Sequence, residues 1–394
     1  MGLYSLFPIA AAILISSCVA MLLSTRIAVT PISGRYATID GLRGYLALFV
    51  FLHHACIWFV YLKGGDWVAP DSNLYAHLGK GSVALFFMIT GFLFFNKILV
   101  GREVGIDWKR LYVSRFLRLV PLYMFAMVLM FLIVGYKTGF QLNESVMILL
   151  KHVGTWIAFS LYGQPEINGL KDTFIIVAGV SWSLPYEWFF YALLPLMALL
   201  LGARVKWLYI CVGLVGVYAV LHICAVKMYM LSFFGGIAAS FLVLSKPFCS
   251  FARSKLSTAL IVAALSVIVY FYRVSYELVP HTLLAVVFCL VAGGNDLLGV
   301  LTARASRALG EMAYGIYLLH GIFLYFTFEI LMGAEFASKM SVFEHWLTII
   351  AIVPFLITFC AITFVLIERP CIRKVSSASS KISLESILRL FKLA

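Results

Sequence analysis

From residue 42 onward the chain reads as long apolar runs separated by short polar loops. In helical form such a run matches the hydrocarbon thickness of a bilayer, and none shows the strict alternation of a half-buried strand. The pattern predicts spans over residues 42–62, 81–98, 112–135, 183–201, 207–222, 229–245, 257–272, 280–295, 312–332 and 346–367. Another apolar run, residues 3–23, precedes them; it lacks the basic start of a signal peptide and is long, so it reads as a retained anchor. The expected fold is all-α: a multi-pass transmembrane helical bundle of ten core spans plus one extra N-terminal span within residues 1–30.

The run 145–161 is interrupted by Lys151 and His152, and loop charge decides its status. Arg26, Arg35 and Arg43 follow the first run, while Lys97, Arg102, Lys109, Arg110, Arg115 and Arg118 crowd a later loop. Basic loops favour the cytoplasm, and the later ones, at Arg204 and Lys206, at Lys246–Lys255, at Arg304 and Arg307 and after Arg369, join these on that side only if 145–161 does not cross. It is therefore read as re-entrant or interfacial, with both ends of the core cytoplasmic. Residues 371–394 form a cytoplasmic tail in which Leu384, Ile387, Leu388 and Phe391 share one helical face, suited to lying on the membrane.

Composition agrees: 63% of residues are hydrophobic and 12% charged, which excludes a soluble globule. A net charge of +13 would point to nucleic acid in a soluble protein. Here the basic residues flank apolar spans, so the excess sets topology and meets anionic lipid headgroups, and no nucleic-acid partner is expected. The eight cysteines are scattered, without the spacing of a disulfide framework, zinc site or redox motif. No Gly-x-Ser-x-Gly elbow, phosphate-cradling glycine loop or His-Glu-x-x-His occurs, so neither metal nor serine-hydrolase chemistry is expected.

Ionisable residues inside spans are costly and therefore point to function. Arg43 and His54 are eleven residues apart on one helical face, about 16 Å along the axis, with the arginine at a membrane edge and the imidazole near mid-bilayer. Imidazole can take a proton from a hydroxyl near neutral pH, so His54 is a candidate general base; Arg43 serves equally as a topological anchor. His53 points about 100° away and reads as a packing or orienting neighbour. Arg115 and Arg118, at i and i+3, present two guanidiniums in one direction, an arrangement suited to phosphate as well as to flanking a span.

In the run Ser181-Trp-Ser-Leu-Pro-Tyr-Glu-Trp-Phe-Phe-Tyr191, Ser183, Glu187 and Tyr191 align one turn apart, and charge parity puts this turn near the outer face. Glu187 there would handle an acceptor or a proton, or simply be satisfied by the helix terminus. His320 falls at mid-span, Glu368-Arg-Pro370 reads as the terminus of the last span, and Gly91 reads as a point of close helix approach.

Taken in order, these blocks resemble the acyltransferase-3 family of integral membrane acyltransferases. The matching stretches are Asp40-Gly-Leu-Arg-Gly with His54, Phe86-Phe-Met-Ile-Thr-Gly-Phe92, Arg115-Phe-Leu-Arg118, Trp182-Ser-Leu-Pro-Tyr-Glu-Trp, Tyr314-Gly-Ile-Tyr-Leu-Leu-His320 and Glu368-Arg-Pro370, spread over residues 36–370. The resemblance implies a ten-helix domain that moves an acyl group, usually acetyl from acetyl-CoA, to a carbohydrate hydroxyl in O-antigen, lipopolysaccharide, capsule or peptidoglycan. It maps the family's arginine-to-histidine motif onto Arg43 and His54 and the paired-arginine motif onto Arg115 and Arg118.

The expected assignment follows. His54, Arg43 and Glu187 are catalytic; Arg115, Arg118 and Arg43 hold acetyl-CoA; Trp182, Ser183, Tyr191 and His320 meet the glycan acceptor; no metal takes part. The expected location is the cytoplasmic membrane of a bacterium. Another acyl group such as succinyl, a small-molecule acceptor, or transport of an anionic lipid-linked substrate are the alternatives. The chain departs from the family in its N-terminal helix and in Pro185, where small or β-branched residues are frequent. The fused extracytoplasmic domain of some members has no counterpart here, so transfer is expected to finish within the membrane domain or to pass the acyl group to another protein.

Overall fold

In the computed structural model, which describes residues 2–27 and 36–377, the chain is helical, and an isolated Ile167–Leu170 bridge is the sole β pairing among those residues. The helices are α1 (Phe7–Ile27), α2 (Ala37–Leu62), α3 (Asn73–Val104), α4 (Trp108–Lys137), α5 (Val146–Ile157), α6 (Leu184–Leu200), α7 (Trp207–His222) and α8 (Leu231–Leu242). They continue as α9 (Lys246–Ala252), α10 (Lys255–Phe271), α11 (Leu278–Ala292), α12 (Arg304–Glu311), α13 (Ala313–Tyr325), α14 (Ala334–Ser338), α15 (Val342–Thr363) and α16 (Arg369–Ser377). The sequence calls on Arg35 and on the amphipathic face of the tail lie outside the described residues.

Among the described residues, seven helical stretches are long and apolar enough to cross a membrane, or eight if the pair made by Lys227–Leu242 and Lys246–Ala252, bent by 113°, is one broken span. The chain is a multi-pass membrane protein. The expected count of ten plus one is not reached by length, because α7, α10 and α11 have only 15 to 17 residues. At 12 residues α5 is about 18 Å long, too short for a hydrocarbon core of about 30 Å, in keeping with a non-crossing role for this stretch.

Local signals start the helices. Ser72 caps α3 by accepting from the Tyr75 amide, Asp107 caps α4 by accepting from Arg110, and Ser341 with Glu344 forms a capping box on α15. The last span, by contrast, does not end at Glu368-Arg-Pro370 as the sequence implied. It widens into a π-helical segment, Phe364–Glu368, and then continues as α16. Pro370 falls where the π pattern gives way to the α pattern, a point at which the helical hydrogen-bond ladder is already irregular.

Small residues bring helices together where lipid supplies no hydrophobic drive. Along α1 the buried face is Ala12, Ser16, Ala20 and Ser24, spaced four apart, and this stripe packs against α12 and α15 while Leu14 and Leu22 face outward. Between α3 and α8, a Cβ on Gly91 would run into the Phe233 carbonyl, and one on Gly236 into the Met88 carbonyl.

Gly91→Val is therefore expected to lower the midpoint of thermal unfolding in detergent, with an overpacking cost of about 1–3 kcal/mol. Gly154→Ala, where a Cβ meets nothing within 4 Å, should leave it unchanged or slightly raised.

Candidate active site

Five elements converge on one cavity of about 100 Å³, room for several water molecules but not for a nucleotide. Helix α2 contributes Arg43, α3 contributes Thr90 and Phe94, and α4 contributes Arg115 and Arg118. Ser183, Glu187 and Tyr191 come from α6 and the turn before it, and Tyr314 and Tyr317 from α13. The i, i+3 spacing thus delivers both α4 guanidiniums to one wall, as the sequence anticipated, and the cavity unites them with Arg43.

The arginines are balanced by carboxylate and aromatic groups. The Arg115 guanidinium lies 4.9 Å from the Phe94 ring centroid, and Tyr191 stacks obliquely on the same ring at 4.8 Å. Arg115 also lies within hydrogen-bonding reach of the Tyr191 side chain, while its Nε has no partner among the described residues. Glu187 accepts a 2.7 Å hydrogen bond from the Thr90 hydroxyl. Glu368 is 2% exposed, with Arg118, Arg43 and Glu311 as its charged neighbours, and its Oε1 accepts from nothing among the described residues.

Glu187 is not at the outer rim where charge parity put it. Thr90, its partner, stands near the midpoint of α3. After α5 the chain drops into the bundle through two tight 3-10 turns, Thr173–Val177 and Val180–Ser183, whose Ile175, Ile176, Val177 and Val180 are buried. Irregular backbone at such depth survives only when enclosed by protein. Here Gly321 of α13 leaves the space that Val177 fills, and the Gln164 amide donates to the Gly179 carbonyl at 2.8 Å. Helix α6 therefore starts inside the bundle, and Pro185 in its first turn fits that start. The Ser183 hydroxyl lies 2.8 Å from the Tyr317 hydroxyl, which also donates to the Val180 carbonyl at 3.2 Å.

Beyond Tyr317 lies a histidine pair. His320 is fully buried; its Nδ1 is 2.9 Å from the Ile316 carbonyl and its Nε2 is 3.0 Å from Nδ1 of His54. A carbonyl only accepts, so in the neutral ring His320 Nδ1 carries the hydrogen and Nε2 accepts. His54 Nδ1 must then donate, which leaves the lone pair on His54 Nε2. Both ring nitrogens of His320 are thus engaged, Nδ1 with its own helix and Nε2 with His54. His53 donates from Nδ1 to the Tyr75 carbonyl at 2.7 Å and packs against Gly79, a structural role.

Trp182 is also set apart from the cavity, packed against Phe87 and Tyr229. Sequence reasoning missed Thr90, Tyr314 and Tyr317. A hydroxyl inside an otherwise apolar span was the available signal for all three.

A family model described as an acyltransferase domain matches residues 36–368, which takes in every cavity-lining residue and both histidines and leaves out α1. No curated protein and no solved structure matches the chain.

The histidine pair makes a direct prediction. His320→Leu strands the His54 N–H in a buried setting and should destabilise the protein by about 1–3 kcal/mol. His320→Asn, whose side-chain oxygen can accept, should recover part of that loss in the same thermal unfolding measurement.

Proposed function

This chain belongs to the acyltransferase-3 family of membrane acyltransferases, and we propose that it moves an acetyl group from cytoplasmic acetyl-CoA to a hydroxyl of a cell-surface polysaccharide or its lipid-linked precursor, in the cytoplasmic membrane of a bacterium. The observation that carries this reading is the convergence of Arg43, Arg115 and Arg118 on a cavity that ends one side chain short of an oriented histidine pair. In this reading the domain crosses the membrane ten times. Helices α7, α10 and α11, about 22–26 Å long, and the bent α8–α9 pair then complete the set, with α1 as an eleventh.

The volume argues for a division of the donor. A cavity of about 100 Å³ admits neither the nucleotide nor a whole pantetheine arm as it stands, so the nucleotide stays at the mouth, where its phosphates meet the paired arginines bidentately, and the helices part to let the arm through. Along α2 the arm has about 16 Å to cover between Arg43 and His54. At its end, His54 Nε2 takes the proton from the acceptor hydroxyl as that oxygen bonds to the thioester carbonyl carbon. The C–S bond then breaks, and the proton passes to the departing thiolate. His320 holds the His54 tautomer that leaves Nε2 ready to accept, a positioning role. Glu187, tied to Thr90, faces the arginines and sets their orientation.

The test is transfer of labelled acetyl from acetyl-CoA in membranes carrying the protein, with NMR of the surface polysaccharide from cells with and without the chain. His54→Ala should lower the rate by about 10² to 10⁴ at unchanged protein level. Arg115→Ala/Arg118→Ala should raise the KM for acetyl-CoA and abolish thermal stabilisation by it. Near wild-type transfer by His54→Ala would sink the base assignment, and no stabilisation of the wild type by acetyl-CoA would return transport of an anionic lipid-linked substrate to the front. Mass spectrometry of the product separates acetyl from succinyl.

A further inference from the structure

On the side of His54 away from the arginines, the loop between α2 and α3 folds back over the histidine. Trp67, half-buried in that loop, lies nearly parallel to the His54 ring, with centroids 6.1 Å apart and planes 13° apart. Its indole also meets Trp58 at 5.5 Å, Tyr61 at 5.6 Å and Phe174 at 6.5 Å, all close to edge-on. Phe174 belongs to the segment that drops into the bundle, so this single side chain closes the gap between two parts of the chain over the histidine. Trp58 is wholly buried, and its indole N–H finds no acceptor among the described residues. A buried donor without a partner calls for an explanation, and a missing ligand group is one.

We propose that Trp67 is the acceptor-side gate of His54. Its indole holds the place that a sugar ring takes, and it swings aside to admit that ring. The proposal rests on the transferase reading above and narrows its acceptor to a pyranose: a flat ring takes the indole's place parallel to His54, its C–H groups meeting Tyr61 and Phe174 edge-on as the indole does, while a hydroxyl accepts from Trp58 Nε1. When no acceptor is present, the closed indole keeps water from the position beside His54. Without it, water would supply the O–H, its oxygen bonding to the thioester carbon and its proton passing through His54 to the thiolate, to give free acetate and CoA.

Sealed vesicles carrying His54→Cys decide the matter without any activity. A membrane-impermeant maleimide is added to either face, and the modified peptide is mapped by mass spectrometry to separate position 54 from the eight native cysteines. Labelling from the face bearing the Trp67 loop should be slow, and should rise about tenfold or more in His54→Cys/Trp67→Ala, the change expected when a predominantly closed state is removed. Trp67→Phe should keep it slow. Equal labelling with and without Trp67 would overturn the gate. With His54 intact, Trp67→Ala should also raise acceptor-independent release of CoA from acetyl-CoA while leaving its KM unchanged; a change in that KM alone would count against the gate. Should the wild type release no CoA under any condition, the transferase reading falls, and the labelling still decides whether Trp67 closes over His54.

Discussion

Everything in this bundle is arranged around charge held in a medium that does not solvate it. Three guanidiniums face a cavity enclosed by apolar helices, and an ion so placed costs several kcal/mol unless protein groups replace its water. The replacements are specific: a carboxylate on α6 held by a threonine on α3, a second carboxylate in the last span, and an aromatic ring beneath Arg115. Because lipid tails are as apolar as leucine, burial alone gives such helices no preferred partner. The polar contacts supply the direction, and small residues let the backbones come close enough to form them.

That constraint explains which parts were legible in the sequence. The facing of Arg115 and Arg118 follows from a three-residue step on one helix, and the alignment of Arg43 with His54 from an eleven-residue step on another; both depend only on helical geometry. The pairing of His54 with His320 joins residues 266 apart, and nothing local to either announces it. The depth of Glu187 was misjudged because a hydropathy run was assumed to begin at the membrane surface. Here the chain has already descended through irregular turns before the helix begins.

The span count shows the same limit. Apolar length in a sequence says how much chain prefers lipid or core, and α7, α10 and α11, with 16, 17 and 15 residues, keep close to their runs, which by length alone fall short of a full crossing. The π-helical widening before Glu368 was also invisible, since a proline and a charged pair after an apolar run look like an ending. A π segment places one more residue in the turn than an α-helix does, and such bulges recur at functional sites. Here it carries the only fully buried glutamate among the described residues.

The N-terminal helix lies outside the residues matched by the acyltransferase family, yet it is not an ornament on a finished bundle. The carbonyls of Leu3 and Ser5, just before α1, accept from the Trp346 indole N–H and the Tyr75 hydroxyl, both on core helices. A core stripped of α1 would leave those two donors without these acceptors. The biosynthetic consequence is an order of assembly: α1 is made before the helices it holds, so its docking has to wait for α3 and α15, and a helix made early is among the last to find its place.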